Sequence, residues 1–123
     1  MKITRFEDIE AWQLARELTR HVYRVTGMGA FSKDFVLRDQ IRDAAGSSMH
    51  NIAEGFDAGS NTEFVRFLRY AQRSCTEVQS ELYVALDQQY VSEPEFQTLY
   101  DQARETSLKI GGFIKYLKSS GRS

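Results

Sequence analysis

The stretch Ser60–Asp87, SNTEFVRFLRYAQRSCTEVQSELYVALD, decides the fold. Phe64, Leu68, Ala71, Cys75, Val78, Leu82 and Ala85 follow one another in alternating steps of four and three. That spacing keeps seven small or apolar side chains on one stripe of a helix, the pattern of a seam packed against neighbouring helices. Ser60 and Glu63 have the spacing of a capping box, which satisfies free amides at a helix start. A helix over residues 61–88 follows, roughly 40 Å long at 1.5 Å per residue. So long a seam needs partners of similar length.

The flanking sequence supplies them. Downstream, Ser92 and Glu95 repeat the capping box, and Pro94 is tolerated in a first turn. Phe96, Leu99, Ala103, Thr106, Ile110, Phe113 and Leu117 then form a second seam, predicting a helix over 93–118. Gly111 and Gly112 interrupt it and are expected where helices approach closely. Upstream, Leu37, Ile41, Ala44, Ser48 and Ile52 predict a helix over 33–54. Ser32 is its expected cap, Phe31 and Val36 its hydrophobic staple, and Gly55 its stop. Ile9, Trp12, Ala15, Leu18, Val22 and Val25 predict the remaining helix, over 6–26. It is expected to be capped by Thr4 with Glu7 and closed by a left-handed Gly27. Four helices with short connections give an all-α, antiparallel up-and-down four-helix bundle, one domain spanning residues 1–123.

Composition bounds the function. The lone Cys75 excludes an intrachain disulfide and a multi-cysteine zinc site. No run approaches the roughly 20 apolar residues that span a bilayer, and no signal peptide is visible. A soluble, cytoplasmic protein without a membrane partner is expected. The net charge of −1 creates no global field toward nucleic acid. The charge is sorted locally, however. On the helix over 61–88, Arg66, Arg69 and Arg73 occupy the first half and Glu77, Glu81 and Asp87 the second.

Two constellations carry possible chemistry. In Ser47–Gly55, SSMHNIAEG, His50 and Glu54 share a helix face, as half of a metal or acid–base site would. A di-iron bundle needs Glu-x-x-His on two helices, and that motif is absent from the sequence. The structural reading is preferred: His50 and Glu54 pair on the surface, Asn51 bonds into the following loop, and Gly46, Ser47 and Ser48 admit a neighbouring helix. No metal, cofactor or small-molecule substrate is expected. The second constellation is arginine. Arg16, Arg20 and Arg24 form one stripe, and Arg66, Arg69 and Arg73 another. Guanidinium forks suit phosphate, so both stripes are candidate RNA- or DNA-binding residues. They suit ion pairing between subunits equally well. Tyr23, Phe67, Tyr70, Tyr83, Tyr100 and Tyr116 lie off the seams, and they and Trp12, which is bulky for the stripe it belongs to, are read as interface residues rather than base-stacking platforms. Cys75 lies on a seam and is read as core. No set of residues at catalytic spacing is present, so no enzyme is expected.

The stretches FEDIEAWQLARELTRHVYRVT, LRDQIRDAAGSSMHNIAEG and FVRFLRYAQRSCTEVQSEL resemble the small bundle proteins of the ribosomal 23S rRNA intervening-sequence family. The most specific part is Asn51-Ile52-Ala53-Glu54-Gly55 joined to the aromatic-rich start of the third helix. Ser32 stands where that family usually has proline, and Ser48-Met49-His50 where it usually has Ile-Pro-Ser. The resemblance implies a cytoplasmic bacterial bundle that assembles into a homopentamer, with no established enzymatic activity and with Asn51, Glu54 and Gly55 as structural motif residues. The family is also similar to the accessory protein of diversity-generating retroelements, which binds nucleic acid and a reverse transcriptase. The expected role is therefore a non-enzymatic oligomeric scaffold or accessory protein for a protein or nucleic-acid partner. An RNA- or DNA-binding module acting through the arginine stripes is the alternative.

Overall fold

The computed structural model describes residues 2–120. Four α-helices make up nearly all of it: α1 (Glu10–Thr26), α2 (Phe35–Phe56), α3 (Asn61–Asp87) and α4 (Glu93–Ser119). The pairing of positions between helices shows an antiparallel bundle. Lys109 meets Glu10 while Gln102 meets His21, so α4 descends as α1 rises. Thr19 reaches Ala45 and Arg42 reaches Thr26 across α1 and α2. Asn61 reaches Leu117 and Gln72 reaches Ser107 across α3 and α4. The α2–α3 and α3–α4 pairs pack most extensively, and α1 lies diagonally across from α3.

Every predicted seam residue of α3 is buried. The seam on α4 departs at one position. Ile114 is buried where Phe113 was expected, and Phe113 instead packs edge-on against Phe64 at the core margin. On α1, Ala11 is buried beside Ile9, and the bulky Trp12 is pushed outward to meet Phe6 edge to face.

The core has two parts. One contains Leu18, Val22, Phe31, Ile41, Leu82 and Leu99, and the other Ile9, Ile52, Phe64, Leu68, Ile110 and Leu117. Hydroxyl groups lie between them. Ser48 donates to the carbonyl of Ala45, Thr106 to that of Gln102 and Ser74 to that of Tyr70, so each buried oxygen is satisfied within its own helix.

The helix ends correct several expectations. Residues Phe6–Asp8 form a short 3-10 turn, and Ile9 is the residue before α1, with no side-chain cap from Thr4. Gly27 closes α1 at φ −88°, outside the left-handed region, which Gly29 occupies at φ 54°. Ser32 lies in a second 3-10 turn, Gly29–Lys33, and donates to the Gly29 carbonyl. Asp34 caps α2 instead, its Oδ1 accepting from the Leu37 amide at 3.1 Å. The Phe31–Val36 staple is absent. Phe31 is fully buried and stacks on Tyr90 at 5.1 Å, while Val36 is 70% exposed. The Tyr90 hydroxyl donates to Asp34 Oδ2, which holds the phenol proton in place and ties the α3–α4 connection to the start of α2. Ser60 accepts from the Glu63 amide, but the Glu63 carboxylate turns to Arg66, so only half of that capping box forms. The box at Ser92 and Glu95 is complete.

Candidate functional site

The α2–α3 pair builds an outer face whose composition changes along its length. Gly55 sets one end. It does not stop α2, which continues to Phe56. A Cβ at Gly55 would lie 2.8 Å from Phe64 Cδ1 and from Phe67 Cβ, so glycine here lets α3 come close. Gly46 plays no such part, since a Cβ there would touch only His50 of its own helix, at 3.7 Å. On α4, a Cβ at Gly111 would lie 3.1 Å from Gln72 Nε2, whereas one at Gly112 would meet nothing within 4 Å.

Beyond Gly55 the face is basic and aromatic. Arg66 donates to Glu63 Oε1 at 2.7 Å and to the Tyr70 hydroxyl at 2.9 Å. Its guanidinium lies 4.9 Å from the Phe67 ring centre and 5.5 Å from that of Tyr70. Arg73 flanks the same tyrosine at 5.7 Å. The hydrogen bond and the charge of Arg66 hold the Glu63 carboxyl below its ordinary range, and Arg66 is a permanent cation. Arg69 is exposed and has no partner among the described residues.

The middle of the face is a hydroxyl saddle. The hydroxyls of Ser74 on α3 and Ser47 on α2 share a hydrogen bond at 3.1 Å, in which Ser74 accepts because its own proton goes to the Tyr70 carbonyl. Asn51 is half-buried, and its Nδ2 donates to both the carbonyl and the hydroxyl of Ser47 at 2.9 Å. The amide thus bonds back along α2 rather than into the following loop. His50 and Glu54 are exposed, and no ion pair joins them among the described residues.

The far end is acidic. Asp43 of α2 and Glu77 and Glu81 of α3 converge there. Glu81 Oε1 is shut off from solvent and accepts no hydrogen bond. Burial first, then the nearby charge of Glu77, its hydrogen-bonding carboxylate and the charge of Asp43, push the Glu81 carboxyl up to about 7. Asp43, Glu77, Glu81 and Asp87 form no ion pair among the described residues.

The two arginine stripes do not meet. Arg16, Arg20 and Arg24 are exposed on α1, diagonal to α3. Arg16 lies 5.9 Å from the Trp12 ring and Arg20 pairs with Glu17 at 2.8 Å, leaving Arg24 without a partner among the described residues. Cys75 is fully buried, and burial pushes its thiol up to about 12, so it stays protonated and packs as a small apolar group. No group of three metal-ligating side chains occurs among the described residues. No helix there is long and apolar enough to cross a membrane.

With helices, saddle and charge order in place, comparison with known proteins is decisive on kinship. The sequence profile of the 23S rRNA-intervening sequence protein family matches residues 7–112. The chain belongs to that family. The matched span takes in α1, α2 and α3 whole, with all three parts of the face. A crystal structure from Bacteroides thetaiotaomicron, of a protein with unknown function from the S23 ribosomal protein family, is similar at a TM-score of 0.77. The two are 20% identical, and the match covers 85% of this chain and 98% of that one, which supports the fold alone. No curated protein matches the sequence. Both the family and its structural neighbour are thus of unknown function.

Sequence reasoning had the arginine and acidic halves of α3 but missed Asp43, which α2 adds to the acidic end. Its signal was available: Asp39 and Asp43 are four apart and off the α2 seam. The Ser47–Ser74 bridge had no signal, because two serines on different helices carry no mark of register.

Proposed function

We propose that this protein is a non-enzymatic, self-assembling accessory protein of the cytoplasm, and that copies of the chain join through the outer face of α2 and α3. The observation that carries this reading is the order of charge on that face. Arginines lie at one end, and four acids without ion partners lie at the other, one of them with a buried and unpaired oxygen. A second copy is the partner that this order complements, since each end finds its opposite on the other chain. Exposed pairs are weak singly, at about 0–1 kcal/mol, so several must act together with apolar contacts. Val36 and Val84, 70% and 46% exposed, supply apolar surface near the acidic end, and Phe67 and Tyr70 supply it at the basic end. A ring of five is the assembly that family kinship suggests. The neutral, buried Cys75 supports a non-catalytic role.

The alternative reading is RNA or DNA binding, favoured by one observation. Arg66 and Arg73 stack with Phe67 and Tyr70 as a ladder suited to phosphates and bases. One variant separates the two readings. Replacing Arg66, Arg69 and Arg73 together by glutamine should loosen the oligomer in sedimentation while leaving RNA retention on filters at its low starting level. Tight wild-type RNA binding at about 0.15 M salt, lost in the variant with the oligomer intact, would reverse the ranking. A wild-type protomer that stays monomeric at micromolar concentration would end the assembly reading.

A further inference from the structure

We propose that proton binding by Glu81 controls whether the acidic end of the α2–α3 face is open to a second copy of this chain. The inference rests on the self-assembly reading above and adds its regulation. Its geometric basis is the position of one carboxyl group. Glu81 lies where α3 packs on α2, with Oε1 cut off from water and unpaired, and with the Glu77 carboxylate in hydrogen-bonding reach. Its other charged neighbour is Asp43, contributed by α2. On its other flank α3 packs on α4, which adds no charge to the site among the described residues. Every charge acting on Glu81 is therefore negative. A carboxyl group so placed holds its proton to a higher pH than an exposed one, because ionisation puts a third negative charge in a half-buried corner.

An arriving guanidinium reverses that balance. Arg66, Arg69 or Arg73 of a second copy stabilises the carboxylate, and the proton leaves to solvent. Association and proton release are then one linked equilibrium. The sign is fixed by the order of the two titrations. Glu81 titrates near 7 in the free protomer, and lower once a cation faces it. Association strengthens as pH rises toward and past 7, and weakens as pH falls below it. With complete transfer to the carboxylate form, the association constant per contact rises about ten-fold between pH 6 and pH 8.

Sedimentation of the wild type and of Glu81→Gln at pH 6 and pH 8 tests this, with helical content followed by circular dichroism. Glutamine keeps the shape of the protonated acid and cannot ionise. The wild type should associate about ten-fold more tightly at pH 8 than at pH 6. The variant should keep its helices and associate as weakly at pH 8 as the wild type does at pH 6. Association that is equally strong at both pH values in the wild type overturns the inference and leaves self-assembly standing. A pH dependence that survives in Glu81→Gln also overturns it, because a group other than Glu81 would then carry the effect. A wild type that is monomeric at both pH values removes the assembly reading itself, and the control with it.

Discussion

The two ends of the α2–α3 seam solve the same packing problem in opposite ways. At the Gly55 end the helices approach closely, and Arg66 has Glu63, Phe67 and Tyr70 as immediate partners. At the Glu81 end the groups brought together are three acids, and an oxygen is buried without a partner. At the first end Arg66 is satisfied within one chain, and Arg69 beside it has no partner among the described residues. The second keeps three acids together with no cation beside them among the described residues, and only the exposed part of the Glu81 carboxyl group is open to one.

The largest expected effect breaks the Gly55 end. Gly55→Ala places a methyl group 2.8 Å from Phe67 Cβ, which cannot swing away without moving α3. Overpacking of this kind costs about 1–3 kcal/mol, less the 0.5–1 kcal/mol that alanine returns in helix propensity. The melting temperature should fall by several degrees in calorimetry. Gly112→Ala, facing open space on α4, should raise it slightly, and a fall there as large as at Gly55 would refute the close-approach account.

Next comes the strained end. A carboxyl group raised from 4.5 to about 7 by folding makes the protomer lose stability as pH rises between those values, with no further loss above. Glu81 is half-exposed, so the full shift is discounted for solvent screening to about 1 kcal/mol. Glu81→Gln should therefore raise the melting temperature of the dilute protomer at pH 8 and leave it unchanged at pH 4. An equal gain at both pH values would place the effect in packing instead of charge.

The saddle between the ends ranks third. Asn51→Leu removes two hydrogen bonds to Ser47, at a cost of about 0.5–1 kcal/mol for a half-buried amide. An unchanged melting temperature would free Asn51 for a role outside the fold. The smallest effect belongs to Arg66→Gln. Its pair with Glu63 is exposed, so thermal melting of the dilute protomer should not move measurably, while self-association should weaken.

The helices and most of their buried faces were legible because the apolar spacing on α3 and α4 is nearly unbroken. The starts of α1 and α2 were not. Several residues near Phe31 have capping chemistry, and Asp34 prevails because its second oxygen also binds Tyr90, which lies 56 positions away. Trp12 and Phe113 fit the apolar period yet sit at the margin, since a ring that large does not fit between helices where Ala11 or Ile114 does. The candidate site was half legible. Charge order along a single helix is written in the sequence, whereas the addition of Asp43 depends on which rows of α2 and α3 face each other. The separation of the two arginine stripes also depends on which helices are diagonal, and no local pattern encodes that.

Gly59, at φ 93° in the turn between α2 and α3, has nothing within 4 Å of where a side chain would sit. Lengthening that turn by a residue would lift it into empty space and leave Ser47 opposite Ser74. The same insertion inside α2, between Asp43 and Ser47, would rotate everything before it by about 100° around the helix. Asp43 would leave the face, and the α2 seam would break in the same step. The turn at Gly59 should therefore accept an added residue that the span from Asp43 to Gly55 should not.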